Sequence, residues 1–305
     1  DSENELVNLF GEPTDDNYKH FFTAANFLGY GNNLKVVRIV HGDAKNAGVS
    51  AAGTVSKPSV SSMAAGSFVS GEAGDKWYAK YPGQMGNSLK VIWHDGGYSG
   101  GVSAGHYDNW QHSERFGMNM PNTTSWAEDL TGSTTVYDAL NLVVIDEDGE
   151  FSGTRGTVLE QFEGISKAKN ARKFDGDSNY YKDVINTSSK YINWGEHPAA
   201  YIGITGVSQN AITGGHPWGG GLSSGTSYTF GVLHHGGVGT ATVSTGGSDQ
   251  SLSGGTGSFG GAVATTGTTS GYALFADKET VDVSLMLAGP HGSTVAGGII
   301  DIADD

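Results

Sequence analysis

Residues Glu3 to Val40 prescribe an order of elements that few folds accommodate: helix, stop, helix, stop, strand. Leu6, Val7 and Phe10 give a first helix one short apolar face. Gly11 suits the left-handed position after a helix and Pro13 prevents continuation. Thr14, Asp15 or Asp16 is positioned to cap a second helix. In that helix Tyr18, Phe21, Phe22, Ala25 and Leu28 recur at three- and four-residue spacing, predicting one buried face. Gly29 and Gly31 end it, and the β-branched run Leu34–Val40 predicts a strand.

Further strands follow from alternation and turn chemistry. Pro82-Gly83 gives a turn, after which Leu89, Val91 and Trp93 alternate with Lys90 and Ile92 as in a half-buried strand. Val136–Asp146, VYDALNLVVID, predicts a strong strand. Asp148-Gly149 is the usual hairpin pair, and Thr154–Phe162 returns as the partner strand. In Ser178–Ile192 the residues Tyr181, Val184, Ile185 and Ser188 share a helical face, and Tyr191-Ile192 begins another strand. Weaker strands are predicted at Gly53–Val60, Gly66–Ser70, Ser227–Leu233 and Thr240–Ser244. Gly96–Leu130 shows no periodicity and reads as surface loop, and Ser208–Thr226 as an elaborated loop. Near the end, Tyr272–Ala276 reads as helical, Glu279-Thr280 as a turn, Val281–Leu287 as a buried strand and Gly297–Asp305 as a further helix.

Composition narrows the function classes. Seventeen Lys and Arg against 32 Asp and Glu give a formal charge of −15. Nucleic-acid binding needs clustered basic residues, and anionic lipid repels such a surface, so neither is expected as a partner. The 49 glycines in 305 residues are about twice the usual share, favouring turns and strands over long helices. No cysteine is present, which excludes disulfides and thiolate chemistry. No apolar run approaches the ~18 residues of a membrane span.

Three blocks, in order along the chain, resemble the tail sheath proteins of contractile-tailed, T-even-like phages. The first is Leu6-Val7-Asn8, Phe10-Gly11, Pro13-Thr14, Ala25-Asn26-Phe27-Leu28, Tyr30-Gly31-Asn32 and Val36-Val37-Arg38. The second is Lys80–Trp93, with Tyr81-Pro82-Gly83, Gly86-Asn87 and Leu89. Between these lie only about forty residues, so the extra domain that such sheaths insert here is expected to be absent or vestigial. The third is Gly271–Gly289, preceded by Leu252-Ser-Gly-Gly255. Val158-Leu159-Glu160, Phe162, Asn179-Tyr180-Tyr181 and Asp183-Val184-Ile185-Asn186 follow the family's order between them.

The resemblance implies an α+β fold: a mainly antiparallel β-sheet outer domain with flanking helices, plus the beginning of an α/β core domain. Residues 1–42 and 80–270 would form the discontinuous outer domain, 43–79 a short excursion, and 271–305 the start of the conserved C-terminal core. Leu34–Val40, Leu89–Trp93, Val136–Asp146 and Thr154–Phe162 are expected to share one core. The opening Asp1-Ser-Glu-Asn is neither a signal peptide nor an initiator methionine, and a piece of a longer chain is expected. Inter-subunit contacts of sheaths would then fall largely beyond it, so these 305 residues alone are not expected to build tubes.

Chemistry-bearing patterns are weak beside this. His234-His235 on a strand would point to opposite faces and cannot share one ion, and His216-Pro217-Trp218 reads as a loop anchor. Asp146–Glu150 lacks the alternating ligands of a calcium loop, and Gly289–Thr294 lacks the lysine of a phosphate loop. No G-x-S-x-G elbow occurs. The aromatic pairs Phe21-Phe22 and Tyr180-Tyr181 suit packing better than sugar binding. No catalytic, cofactor-binding or metal-ligating residue is therefore assigned, and no cofactor is expected.

The function implied is structural and non-enzymatic: a contractile sheath subunit of the virion, assembled in the host bacterial cytoplasm. Its implied partners are copies of itself in six-fold helical rings, the tail tube protein, and baseplate and tail terminator proteins. Contraction would drive the tube through the host envelope for genome ejection. The same resemblance admits a contractile injection or secretion system. A secreted Gly-rich β-protein, an adhesin or glycan-active enzyme, is the reading from the Gly/Ser/Thr bias alone.

Overall fold

A computed structural model describes residues 2–13, 15, 17–38, 44–50, 75–95, 107, 110–117, 120–194, 218–225, 229–230, 240–243, 271–277, 279, 281, 283–289 and 293–304. The fold is mixed α+β with two small antiparallel sheets. In chain order its elements are α1 (Glu3–Phe10), α2 (Tyr18–Leu28), β1 (Asn46–Ser50), β2 (Asp75–Pro82), β3 (Leu89–His94), α3 (Ser125–Thr131), β4 (Ala139–Asp146), β5 (Thr157–Ser166), α4 (Tyr181–Ser188), β6 (Ile192–Trp194), β7 (Thr240–Val243) and α5 (Ser293–Asp304). Two compact units contain them: Lys45–Ser248, and Asp1–Ala44 with Asp249–Asp305.

The larger unit holds both sheets. One has the order β1-β2-β6 and the other β5-β4-β3-β7. Strand β4 lies between β3 and β5, with Val91 opposite Val144 and Val143 opposite Gln161. Every residue of β4 is buried, which accounts for its nearly continuous apolar run. Its side chains alternate between two cores. Leu140, Leu142 and Val144 join Leu89, Val91 and Trp93 on one face, together with Trp77, Tyr181, Ile185 and Trp194. Val143 and Ile145 join Ile92, Tyr107, Trp110 and Phe116 on the other.

Strand β3 is therefore covered on both sides, not half-buried as its alternation predicts. The second cover comes from the stretch expected to be surface loop. Within it Tyr107, Trp110 and Phe116 are buried, Ser113–Phe116 is a 3₁₀ turn, and Ser125–Thr131 is the helix α3. Widely spaced aromatics give no periodic signal, yet three of them supply enough apolar area to cover a sheet face.

The expected two-residue hairpin between β4 and β5 is instead a ten-residue connection, 147–156, and β5 starts at Thr157 rather than Thr154. A bulge interrupts the pair further on: Leu140 faces Ile165 but Leu142 faces Phe162. Gly164 takes φ +59 there, and its N–H donates to Asn141 Oδ1 at 2.8 Å. Helix α4 buries Tyr181, Val184 and Ile185, but Ser188 is exposed, so the expected fourth face residue drops out. The predicted β6 and β7 are both present, beginning at Ile192 and Thr240.

Residues 43–79 were expected to leave the domain. Their described ends instead form β1 and β2 of the first sheet, antiparallel to each other, with Gly48 opposite Tyr78. Gly86 packs against these strands so closely that a Cβ would lie 2.7 Å from Ala79 Cβ and 3.0 Å from Ala47 Cβ.

The second unit contains α1, α2, a 3₁₀ turn at Gly271–Phe275, and α5. Ser2 caps α1 by accepting the Glu5 N–H, and Gly11 ends it at φ +78 with an extended ψ, not the left-handed helical value. The N-cap of α2 is Asn17, not Thr14, Asp15 or Asp16, and it makes no side-chain capping bond. Residues 34–38 form no strand and group away from β3, β4 and β5, with which Leu34–Val40 was expected to share a core. The described part of 281–287 is likewise not a strand, and Leu285 is 60% exposed. A β-branched run becomes a strand only where another strand accepts its backbone hydrogen bonds. The expected strands at Gly53–Val60 and Gly66–Ser70, and Leu252–Gly255, lie outside the described residues.

The aromatic face of α2 is narrower than its spacing predicts. Phe21 is 8% exposed, Phe22 50% and Tyr18 45%. Phe21→Ala is accordingly expected to cost about 3 kcal/mol. Phe22→Ala, which loses mainly an edge contact with Phe21, should cost less than about 1 kcal/mol. Thermal unfolding of the two variants checks the difference, and equal losses would contradict the burial of Phe21 alone.

Candidate functional site

The strongest concentration of buried polar chemistry lies at one end of the second sheet, where β3 and β5 finish and β4 begins. Asp95 follows β3 and Lys167 follows β5, and both side chains are fully buried. Lys167 Nζ stands 3.1 Å from Asp95 Oδ2 and donates to the Tyr137 carbonyl at 2.9 Å. The ammonium also lies 5.1 Å from the centroid of the Trp218 ring. Burial pulls the Lys167 pKa below its ordinary value, and the Asp95 carboxylate beside it and the Asp138 charge oppose that pull.

Hydrogen bonds fix the surrounding backbone. Lys167 N–H donates to the Asp138 carbonyl at 2.7 Å, and Gly219 N–H to the Lys167 carbonyl at 2.8 Å. The buried Asp138 carboxylate accepts from Thr124 N–H and from the Thr124 and Ser166 hydroxyls. Thr124 is also the N-cap of α3, its hydroxyl accepting the Ala127 N–H. One carboxylate thus ties the start of α3, the start of β4 and the end of β5. Asn170 holds the neighbouring segment by pairing with both the N–H and the carbonyl of Leu222.

On the opposite face of the sheet, Tyr107 and His94 pack edge to face, and Trp110 stacks on Phe116 with centroids 5.6 Å apart. Asn141 Nδ2 donates to the Tyr107 hydroxyl at 3.0 Å, while Asn141 Oδ1 receives the bulge N–H of Gly164. Burial pushes the Tyr107 phenol up to about 12, against a smaller lowering from the Asn141 bond. Burial, with the nearby Arg115 and Lys90 charges, lowers the pKa of His112.

At the other end of β4, the Asp146 carboxylate organises the 147–156 connection. It accepts the N–H groups of Gly149, Phe151 and Ser152 and the hydroxyls of Ser88 and Ser152. These donors point into the oxygens a cation would need, so Asp146–Glu150 is built as a self-satisfied turn.

Of the other patterns weighed from sequence, Tyr180 and Tyr181 are buried core, and Trp218 is buried edge-on to Tyr181 at 5.5 Å. Phe21 and Phe22 divide, one buried and one exposed. His216, Pro217, His234, His235 and residues 290–292 lie outside the described residues. Among the described residues no group of three or more His, Cys, Asp or Glu is arranged to hold a metal ion, and no helix is long and apolar enough to cross a membrane. Sequence reasoning missed Lys167, Asp95 and Asp138. The available signal was a lone charge set between the buried Ile165 and Ala168, where lysine is rarely buried without a partner.

Two phage tail sheath proteins share a stretch of this sequence. The tail sheath protein of Enterobacteria phage T4 is 54% identical over 46 residues, 15% of this chain and 7% of that protein. The tail sheath protein of Vibrio phage KVP40 is 55% identical over 38 residues, 12% of this chain and 6% of that protein. No family model matches the chain. The similarity is local: it links a short segment to phage sheaths and leaves most of the described α+β unit without a counterpart in either match. The Lys80–Trp93 block spans the end of β2, a 3₁₀ turn and β3. The Gly271–Gly289 block supplies the 3₁₀ turn of the smaller unit, with the Tyr272 hydroxyl donating to the Leu287 carbonyl at 2.8 Å.

Proposed function

We propose that this chain is a structural, non-enzymatic component of a contractile bacteriophage tail sheath. The observation that carries the reading is the 54% identity over 46 residues with a phage tail sheath protein. The fold suits the role, because a sheet covered on both faces resists deformation and transmits force through packed layers. Copies of the chain would assemble with six-fold helical symmetry around a tail tube, bounded by baseplate and terminator proteins. Energy for contraction would come from two packings of the same subunits, a bistable arrangement requiring no nucleotide hydrolysis. The site of action would be the virion, after assembly in the bacterial cytoplasm.

Immunogold electron microscopy of virions carrying the chain tests this. Label along the full length of the tail, moving closer together after contraction, is the expected result. Label confined to the capsid or to a single point on the tail would overturn it.

A further inference from the structure

With no cysteine, the chain has no disulfide to fasten its strands. We propose that Lys167 and Asp95 form an intramolecular isopeptide bond, a covalent crosslink joining the ends of β3 and β5 across β4. The inference does not rest on the sheath reading.

Three features of the site favour condensation over a persistent ion pair. The first is proximity. Nζ lies 3.1 Å from Oδ2, so the carboxyl carbon is one bond further on. Both side chains are anchored at the ends of paired strands, and such holding raises the effective concentration of reactants enormously. The second is exclusion of water. Both side chains are 0% exposed, and Trp218 faces the amine. A dry site gives water no route for hydrolysis of the amide once it forms. The third is orientation. The Tyr137 carbonyl accepts from Nζ at 2.9 Å, and an amide nitrogen keeps one hydrogen with which to maintain that bond.

The step balances without a co-reactant. One proton passes from the ammonium to Oδ2 along the existing hydrogen bond, leaving an amine and a carboxylic acid. The Nζ lone pair attacks Cγ and forms the C–N bond. The C–OH bond breaks, and a second proton from Nζ accompanies the departing hydroxide. The products are one amide and one water, with nothing oxidised or reduced. Asp138 is a positioning residue in this scheme: its carbonyl holds the Lys167 N–H and its carboxylate holds Ser166. The lowered pKa of Lys167 is in accord with a fraction of neutral amine.

Intact-mass spectrometry of the folded 305-residue chain, followed by peptide mapping, tests the proposal. The expected mass is that of the sequence less one water, with a branched peptide joining the segments that contain Asp95 and Lys167. Lys167→Arg keeps the charge but not the nucleophile and should restore the sequence mass, as should Asp95→Ala. The wild-type mapping is decisive even if a variant fails to fold. A wild-type chain at the full sequence mass after prolonged incubation overturns the proposal. So does a water loss mapped to other residues, or one that persists in Lys167→Arg.

Discussion

Trp194→Ala is expected to destabilise the larger unit by about 3–5 kcal/mol, among the heaviest losses available to a single substitution in this chain. Trp194 is 1% exposed on the three-residue strand β6. Its indole meets Trp93 of the other sheet edge-on at 5.7 Å and Tyr181 of α4 at 5.5 Å. Its backbone N–H and carbonyl are both held by the Asn186 side chain, at 2.6 and 3.0 Å. One residue therefore joins the first sheet, the second sheet and a helix. Alanine removes the shared contact and leaves a cavity whose rigid aromatic walls cannot collapse into it. Trp194→Phe retains part of the packing and should cost about 1–3 kcal/mol. Urea unfolding measures both. A loss under about 1 kcal/mol for the alanine variant would show that the two sheets do not depend on a common core.

Local patterns in the sequence carried the strands and helices whose signals are self-contained. β3, β4, α1 and α4 fall where alternation, β-branching or helical spacing puts them, because each has an apolar set that only one secondary structure gathers on a face. What local pattern cannot carry is the identity of the partner. Leu34–Val40 and Val281–Leu287 have strong strand composition, yet their described residues pair with no strand. The burial of β3 on its second face depends on Tyr107, Trp110 and Phe116, isolated aromatics whose contact with the sheet is a tertiary event.

The buried polar sites were illegible for the same reason. Asp95 and Lys167 are 72 residues apart in sequence and meet only because β3 and β5 flank β4 in the sheet. Asp138 likewise looks like an unremarkable charge before a strand until Thr124 and Ser166 converge on it. The readable glycine and aspartate of the β4–β5 connection suggested a tight hairpin. The longer turn forms because Asp146, the last residue of β4, has enough acceptor capacity to organise a wider one. The third sheath-like block shows the same limit: Tyr272–Ala276, expected as helix, forms only the 3₁₀ turn Gly271–Phe275, and the described part of Val281–Leu287, expected as a buried strand, pairs with no strand.

Asp146→Ala is the second large effect expected, a loss of about 3–4 kcal/mol, because it leaves several converging donors without their acceptor. Ser88 and Ser152 each donate a hydroxyl to this carboxylate, and Gly149, Phe151 and Ser152 each donate an N–H. Asp146→Asn should recover little, since its amide group presents hydrogens where the donors already point. The same site makes a prediction about pH. Burial raises the carboxyl pKa, but the bonds from Ser88, Ser152 and Phe151 outweigh it, and the net shift is downward from 3.8. A folded-state pKa below the unfolded value means that the stabilisation is present above the unfolded value and disappears as pH falls through the folded one. Asp146 should therefore contribute fully at neutral pH and lose its contribution below about pH 4. Denaturant unfolding of wild type and Asp146→Ala across pH 7 to 2 separates this residue from the other carboxylates. The stability gap between the two proteins should be widest at neutral pH and narrow in acid. A gap that is constant across the range would mean that the ionised carboxylate is not what holds the connection between β4 and β5.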